Sequence, residues 1–319
     1  MDNLFQLKSA SYSLANEFGI QLDPKIMIKG YEAGHPATPP IDDSYVFMRA
    51  KLRDIMAFWE SGLQAFKISG DPGTGKSSLV EQFHARLRWP LYKVSCSPST
   101  EAYQLIGQLH PKTDGTLRWV DGPLMRAARE GTSVLLDEYN TMDPGQATGL
   151  NMLLEGYSIT IPETGEVLTP TKGFRIFATE NAVTSRLSVA GRNVQDVAND
   201  DRWMVTEADY LPPDLEIKAV SKALIADGTK PDIAQMLAEQ VVGVANKVRD
   251  AYRSDDGVID KPMTTRSAIR WAKLVRRFAG VSASEGGPML YALRRAFSMG
   301  KEMSASVEEF TRASLGTGA

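Results

Sequence analysis

The chain has 319 residues, 43% of them hydrophobic, and its 36 Lys and Arg against 39 Asp and Glu give a formal charge of -3. That size can bury a substantial core, as a main domain with a smaller companion, and the charge balance leaves nucleic-acid binding unsupported. One cysteine, Cys96, excludes an internal disulfide, and His35, His84 and His110 are too scattered to make a metal cluster with it.

The N-terminal stretch MDNLFQLKSASYSLANEFGI lacks a basic segment ahead of an apolar one, and no apolar run reaches bilayer length, so a cytoplasmic protein without membrane contact is expected. An amphipathic stretch over 7–18 leads into GYEAGHPATPPIDDS, which reads as an extended arm packed on the main domain. Apolar residues at helical spacing predict a helix within 45–59, and AFKIS reads as a short strand ending in a glycine loop. Helix 77–87, strand LYKVSC, a helix near 100–106, strand SVLLDE, helix 144–154 and strand FRIFAT follow. This alternation predicts an α/β fold, a parallel sheet covered by helices on both faces. Two hairpins interrupt it, one turning at Asp114-Gly115 and one around Thr164-Gly165. The prolines of YLPPD break the chain, and helices are expected over 215–227, 231–252, 265–279 and 288–313. The expected organisation is an arm (1–40), an α/β domain (41–211) and a helical domain (212–319).

GDPGTGKSS, comprising Gly70, Asp71, Pro72, Gly73, Thr74, Gly75, Lys76, Ser77 and Ser78, fits the phosphate-binding loop pattern between a strand and a helix. Its glycines let backbone N–H groups turn around phosphates, and the helix N-terminus adds positive potential. Lys76 would meet the β and γ phosphates and Ser77 would bind Mg2+. SVLLDEYN releases two carboxylates at the end of an apolar strand, Asp137 for Mg2+ and Glu138 as the base that polarises the attacking water. FRIFATEN ends in Asn181, whose amide can hold that water without competing for the metal. Taken alone, Arg202 in NDDRW would read as a surface ion pair.

The order of these parts, with NDDRWMVTEADYLPPD and MTTRSAIRWA after them, resembles the AAA+ ATPases, more narrowly the MoxR-type clade, and within it the ATPase subunits of aerobic cobaltochelatases, the CobS type. The resemblance implies an AAA+ P-loop NTPase core, ATP and Mg2+ as cofactors, and a homo-oligomer, a hexameric ring with ATP held between subunits. By the same resemblance Arg202 is the arginine finger that reaches a neighbour's γ phosphate, and Arg266 is the sensor that connects the helical domain to nucleotide. The 104–124 hairpin matches the clade's insertion, and the implied partner carries a von Willebrand A domain, as in ATP-dependent cobalt chelation. Two other functions stay open at this point: a MoxR-like chaperone of phage or mobile-element origin with a non-chelatase client, and a nucleic-acid motor or loader. The latter predicts basic, aromatic-bearing pore loops, whereas the hairpins here are mixed in charge.

Overall fold

The computed structural model describes residues 6–181, 197–254 and 257–315. Contacts divide the chain into two units: Met1–Asp42, Arg49–Asp71 and Lys76–Ala208 in the first, and Asp43–Met48, Pro72–Gly75 and Asp209–Ala319 in the second.

The first unit contains, in order, β1 (Ser9–Ser13), α1 (Leu14–Phe18), β2 (Met27–Tyr31), α2 (Arg49–Ser61), β3 (Ala65–Gly70), α3 (Lys76–Leu87), β4 (Leu91–Ser95), α4 (Ala102–Ile106), β5 (Gly107–Pro111), β6 (Leu117–Asp121), α5 (Pro123–Glu130), β7 (Ser133–Asp137), α6 (Pro144–Thr148), α7 (Asn151–Leu154), β8 (Ile159–Thr160), β9 (Val167–Leu168), β10 (Arg175–Asn181), α8 (Val197–Asp200) and β11 (Met204–Ala208). Five of these strands form one parallel sheet in the order β11-β3-β10-β7-β4. Its central strands read as near-continuous apolar runs because helices bury both faces: Val134, Leu136, Ile176 and Ala178 join one core with Leu124 and Ala128 of α5. The opposite layer is aromatic. Phe58 stacks on Phe66 at 5.0 Å and meets Phe177 edge-on at 5.3 Å. His84 is sealed into that layer; its Nδ1–H donates to the Val80 carbonyl, and burial lowers its pKa to about 3, so it is a neutral packing residue.

Three features depart from the sequence-based expectation. The amphipathic stretch over 7–18 is not one element: Ser9–Ser13 pairs with β2 in an antiparallel ribbon, and α1 rests on α3 through Phe18 against Phe83, with a Glu17–Arg88 ion pair at 2.7 Å just past that helix. The helix expected over 144–154 is two short ones, because at Gly149 and Leu150 the backbone bonds tighten to the residue three back. The 288–313 helix is interrupted where buried Phe297 turns extended.

The second unit is helical: α9 (Pro213–Ala226), α10 (Pro231–Ser254), α11 (Thr265–Arg277), α12 (Gly287–Ala296) and α13 (Lys301–Ser314). Trp271 lies fully buried among Val241, Val244 and Leu293. Glu216 and Arg249, both buried, make a two-pronged ion pair at 2.6 and 2.7 Å, and Arg249 Nε donates to the Met263 carbonyl, so neither charge is left uncompensated. No helix among the described residues is long and apolar enough to cross a membrane.

Candidate active site

The sheet delivers β3, β7 and β10 to one edge. Gly70 at the end of β3 is in register with Asn181 of β10 and Ala208 of β11, so the start of the glycine loop is fixed between two neighbours. A side chain at Gly70 would place its Cβ 2.1 Å from the Ala208 carbonyl oxygen, and its φ of 147° is one that glycine alone adopts readily. Lys76, the first residue of α3, is buried; its ammonium donates to the carbonyls of Gly70 (2.9 Å) and Asp71 (2.8 Å) and to Asn181 Oδ1 (3.0 Å). Lys76 and Asn181, 105 residues apart in sequence, thus meet directly.

Next on α3, the Ser77 hydroxyl donates to Asp137 Oδ1 at 2.7 Å. The same oxygen accepts from the Thr179 hydroxyl, which in turn accepts from the Glu138 backbone N–H at 3.2 Å. Buried Thr179 therefore sets both carboxylate-bearing residues from the neighbouring strand. The sequence signal for it is slight, a threonine two places before Asn181 in FRIFATEN. Glu138 takes a left-handed backbone conformation, φ 58°. This sharp turn at the end of β7 leaves Glu138 exposed while Asp137 stays half-buried against Ser77. Positive φ at a non-glycine residue is uncommon and concentrates where a site demands it. Asn140 then donates to the Asn181 carbonyl at 2.9 Å, tying this turn to β10. Cys96 sits beside the site, its backbone N–H on the Asp137 carbonyl; burial first, then the carboxylates of Asp137 and Glu138, push its thiol pKa up to about 12 and keep it protonated.

The NDDRW turn is fastened from three sides, and among the described residues its ion pairs reach other elements rather than its own neighbours. Asp200 takes a 2.6 Å contact from Lys67, a lysine buried inside β3 that also lies 3.5 Å from Glu180. Burial raises the Glu180 pKa, and Lys67 counters it. Buried Asn199 accepts from the Tyr139 hydroxyl (3.1 Å) and from Trp203 Nε1 (3.3 Å), and donates to Asn151 (2.8 Å). Arg202 pairs with Glu155, not with Asp200 or Asp201, and donates from Nη1 to the Ala198 carbonyl. Arg202 of NDDRW does make a partly exposed ion pair, but with Glu155 rather than with the adjacent aspartates, while Asp200 answers a buried lysine from the sheet.

In the second unit, a Cβ at Gly73 would lie 2.4 Å from Thr264, whose side chain caps α11 by accepting from the Ser267 N–H. The Tyr210 hydroxyl donates to the Pro72 carbonyl at 2.8 Å, and the Arg249 guanidinium stacks over the Tyr210 ring at 4.0 Å. Arg266 is exposed in the first turn of α11.

Both hairpins form, β5–β6 and β8–β9. One guanidinium joins them: Arg129 binds Asp121 Oδ2 at 2.6 Å and Glu166 Oε2 at 2.8 Å. That contact holds the Glu166 carboxyl below the usual carboxylate range.

Residues 66–197 match the AAA domain of the dynein-related subfamily, and residues 222–314 match the CbbQ/NirQ/NorQ C-terminal region. The aerobic cobaltochelatase subunit CobS of a Sinorhizobium species is 29% identical over 292 residues, covering 88% of this chain and 85% of that protein. The denitrification regulatory protein NirQ of Stutzerimonas stutzeri is 30% identical over 219 residues, 68% of this chain and 74% of NirQ. Midasin of Giardia intestinalis is 26% identical over 202 residues, which are 62% of this chain and 4% of midasin.

Proposed function

We propose a function from one premise: this chain belongs to the AAA ATPases of the dynein-related, MoxR-like kind and carries a CbbQ/NirQ/NorQ-type C-terminal region, related to CobS and NirQ. It is a motor that couples ATP hydrolysis to remodelling of a partner complex. The observation that carries the chemistry is the meeting of three strand ends, Lys76 on Asn181 at 3.0 Å and Ser77 on Asp137 at 2.7 Å, at the edge where open α/β sheets bind ligands.

In this reading the Gly70–Ser78 loop would hold the β and γ phosphates of ATP, with the Lys76 ammonium placed to bind them. Ser77 and Asp137 would hold Mg2+. A hydroxyl and a carboxylate are the hard oxygen donors that ion prefers, and so few protein ligands suit an ion that keeps phosphates and waters in its shell. When bound, Mg2+ supplies neutralisation of phosphate charge. Glu138 would accept the proton of the attacking water, and Asn181 would hold that water. Arg202 acts in trans within a homo-oligomeric, hexameric ring, and Arg266 senses the nucleotide from the helical lid domain, 212–319. The client is a cytoplasmic complex with a von Willebrand A domain subunit, a reading supported by the likeness to CobS and compatible with ATP-dependent cobalt chelation.

The test is Glu138→Gln. It should bind ATP within about twofold of the parent and lose turnover by about a hundredfold or more, the usual scale for a general base. Parental turnover would remove Glu138 from that role.

A further inference from the structure

Arg202 is held by a neighbour that none of the motifs includes. Glu155 closes α7 at its C-terminal end, and its Oε1 lies 2.5 Å from Arg202 Nε. Nε–H has no aligned hydrogen-bond acceptor, so the contact is an ion pair from the side. Nη1 is spent on the Ala198 carbonyl, and no hydrogen bond from Nη2 is found among the described residues. The guanidinium is thus gripped along one flank, with 27% of the side chain exposed. At the other end of the same short helix, Asn151 binds Asn199, three residues before Arg202. α7 therefore braces both the turn and the tip of the arginine.

We propose that Glu155 is a positioning residue of the finger, setting the direction in which the guanidinium of Arg202 is presented to a γ phosphate. A partly exposed ion pair adds little to stability, so stability alone does not account for it. Orientation does: a long arginine loses rotamer freedom on reaching a fixed target, and a carboxylate on one flank removes that freedom in advance. This inference rests on the reading of Arg202 as a finger.

Glu155→Ala, Glu155→Gln, Arg202→Ala and the Glu155→Ala/Arg202→Ala double variant are compared in the full-length protein by steady-state ATPase and thermal melting. In Glu155→Ala, kcat should fall about tenfold with KM for ATP within about twofold, while the melting curve is unchanged. Glu155→Gln keeps the side chain's size but removes its charge, and because the contact is ionic, without an aligned hydrogen bond, kcat should fall nearly as far as in Glu155→Ala. The double variant should be no slower than Arg202→Ala, because Glu155 acts only through that side chain. An unchanged kcat in Glu155→Ala, or a double variant slower than Arg202→Ala, overturns the proposal.

Mixing separates this inference from the trans reading. Subunits carrying Lys76→Ala, with Glu155 and Arg202 intact, should restore activity to both Arg202→Ala and Glu155→Ala subunits. Restoration of Arg202→Ala alone sinks the role of Glu155. Restoration of neither, with mixed assembly verified, sinks the trans reading, and the double variant still decides whether Glu155 works through Arg202.

Discussion

Replacing Lys67 with Met tests whether a buried charge in the sheet fastens the turn that carries Arg202. Met preserves the apolar stem, so charge is removed with little change of volume. The Lys67 side chain is 4% exposed and sits 2.6 Å from Asp200 and 3.5 Å from Glu180. Asp200 is 46% exposed and can recover water when its partner goes, whereas Glu180, at 20%, is left desolvated beside a second carboxylate. A hydrogen bond to a charged group and a stranded buried group are each worth about 1.5–3 kcal/mol. After discounting for the exposure of Asp200, the variant should lose about 3 kcal/mol near neutral pH. The pH dependence follows from Glu180, whose raised pKa Lys67 presently restrains, so the variant raises it further. A carboxylate titrating higher in the folded than in the unfolded state favours folding below its unfolded pKa, and that advantage is lost as pH rises through the folded pKa. The deficit should therefore be full at about pH 8 and shrink towards about pH 5. Urea denaturation followed by circular dichroism at both pH values measures it. A deficit below about 0.5 kcal/mol at the higher pH, or one equal at both, would refute the reasoning.

Three further outcomes follow from the site. Thr179→Val keeps the side chain's shape but removes the hydroxyl shared by Asp137 and the Glu138 N–H; the Mg2+ concentration for half-maximal ATPase should rise by about tenfold, and an unchanged titration contradicts the placement. Gly73→Ala forces a Cβ to within 2.4 Å of Thr264 at a φ of 75°, so nucleotide affinity should fall by about tenfold in a direct binding titration, and parental affinity would show that the loop relaxes freely. Arg129→Met should speed amide exchange in β5–β6 and β8–β9 together, since one guanidinium holds Asp121 and Glu166; exchange that stays slow in either hairpin would mean that they are fixed independently.

The parts legible in the sequence are those whose physics is local. A glycine loop between a strand and a helix, and an apolar strand ending in Asp137 and Glu138, announce themselves within a dozen residues, and in the sheet their strands flank β10, which carries Asn181. The contacts that set the site are not local. Lys67 meets Asp200 across 133 residues, and Thr179 meets Asp137 across 42, with no spacing rule to connect either pair. A lysine inside the strand AFKIS was the available signal for the first, since a buried ammonium needs a partner somewhere. Glu155 carried no signal, because an exposed glutamate after a short helix looks like any solvated end. The splitting of the 288–313 helix escaped periodicity because Phe297 stays apolar and buried while its backbone leaves the helix.

The central claim is that Arg202 completes a neighbouring subunit's site, and mixing tests it most directly. Arg202→Ala and Lys76→Ala subunits, each inactive alone, are combined at varied ratios and assayed for ATPase after mixed assembly is verified. Activity should be absent at either extreme and peak between them, from junctions pairing an intact Lys76 with an intact Arg202. Mixed assemblies that stay inactive at every ratio would contradict it.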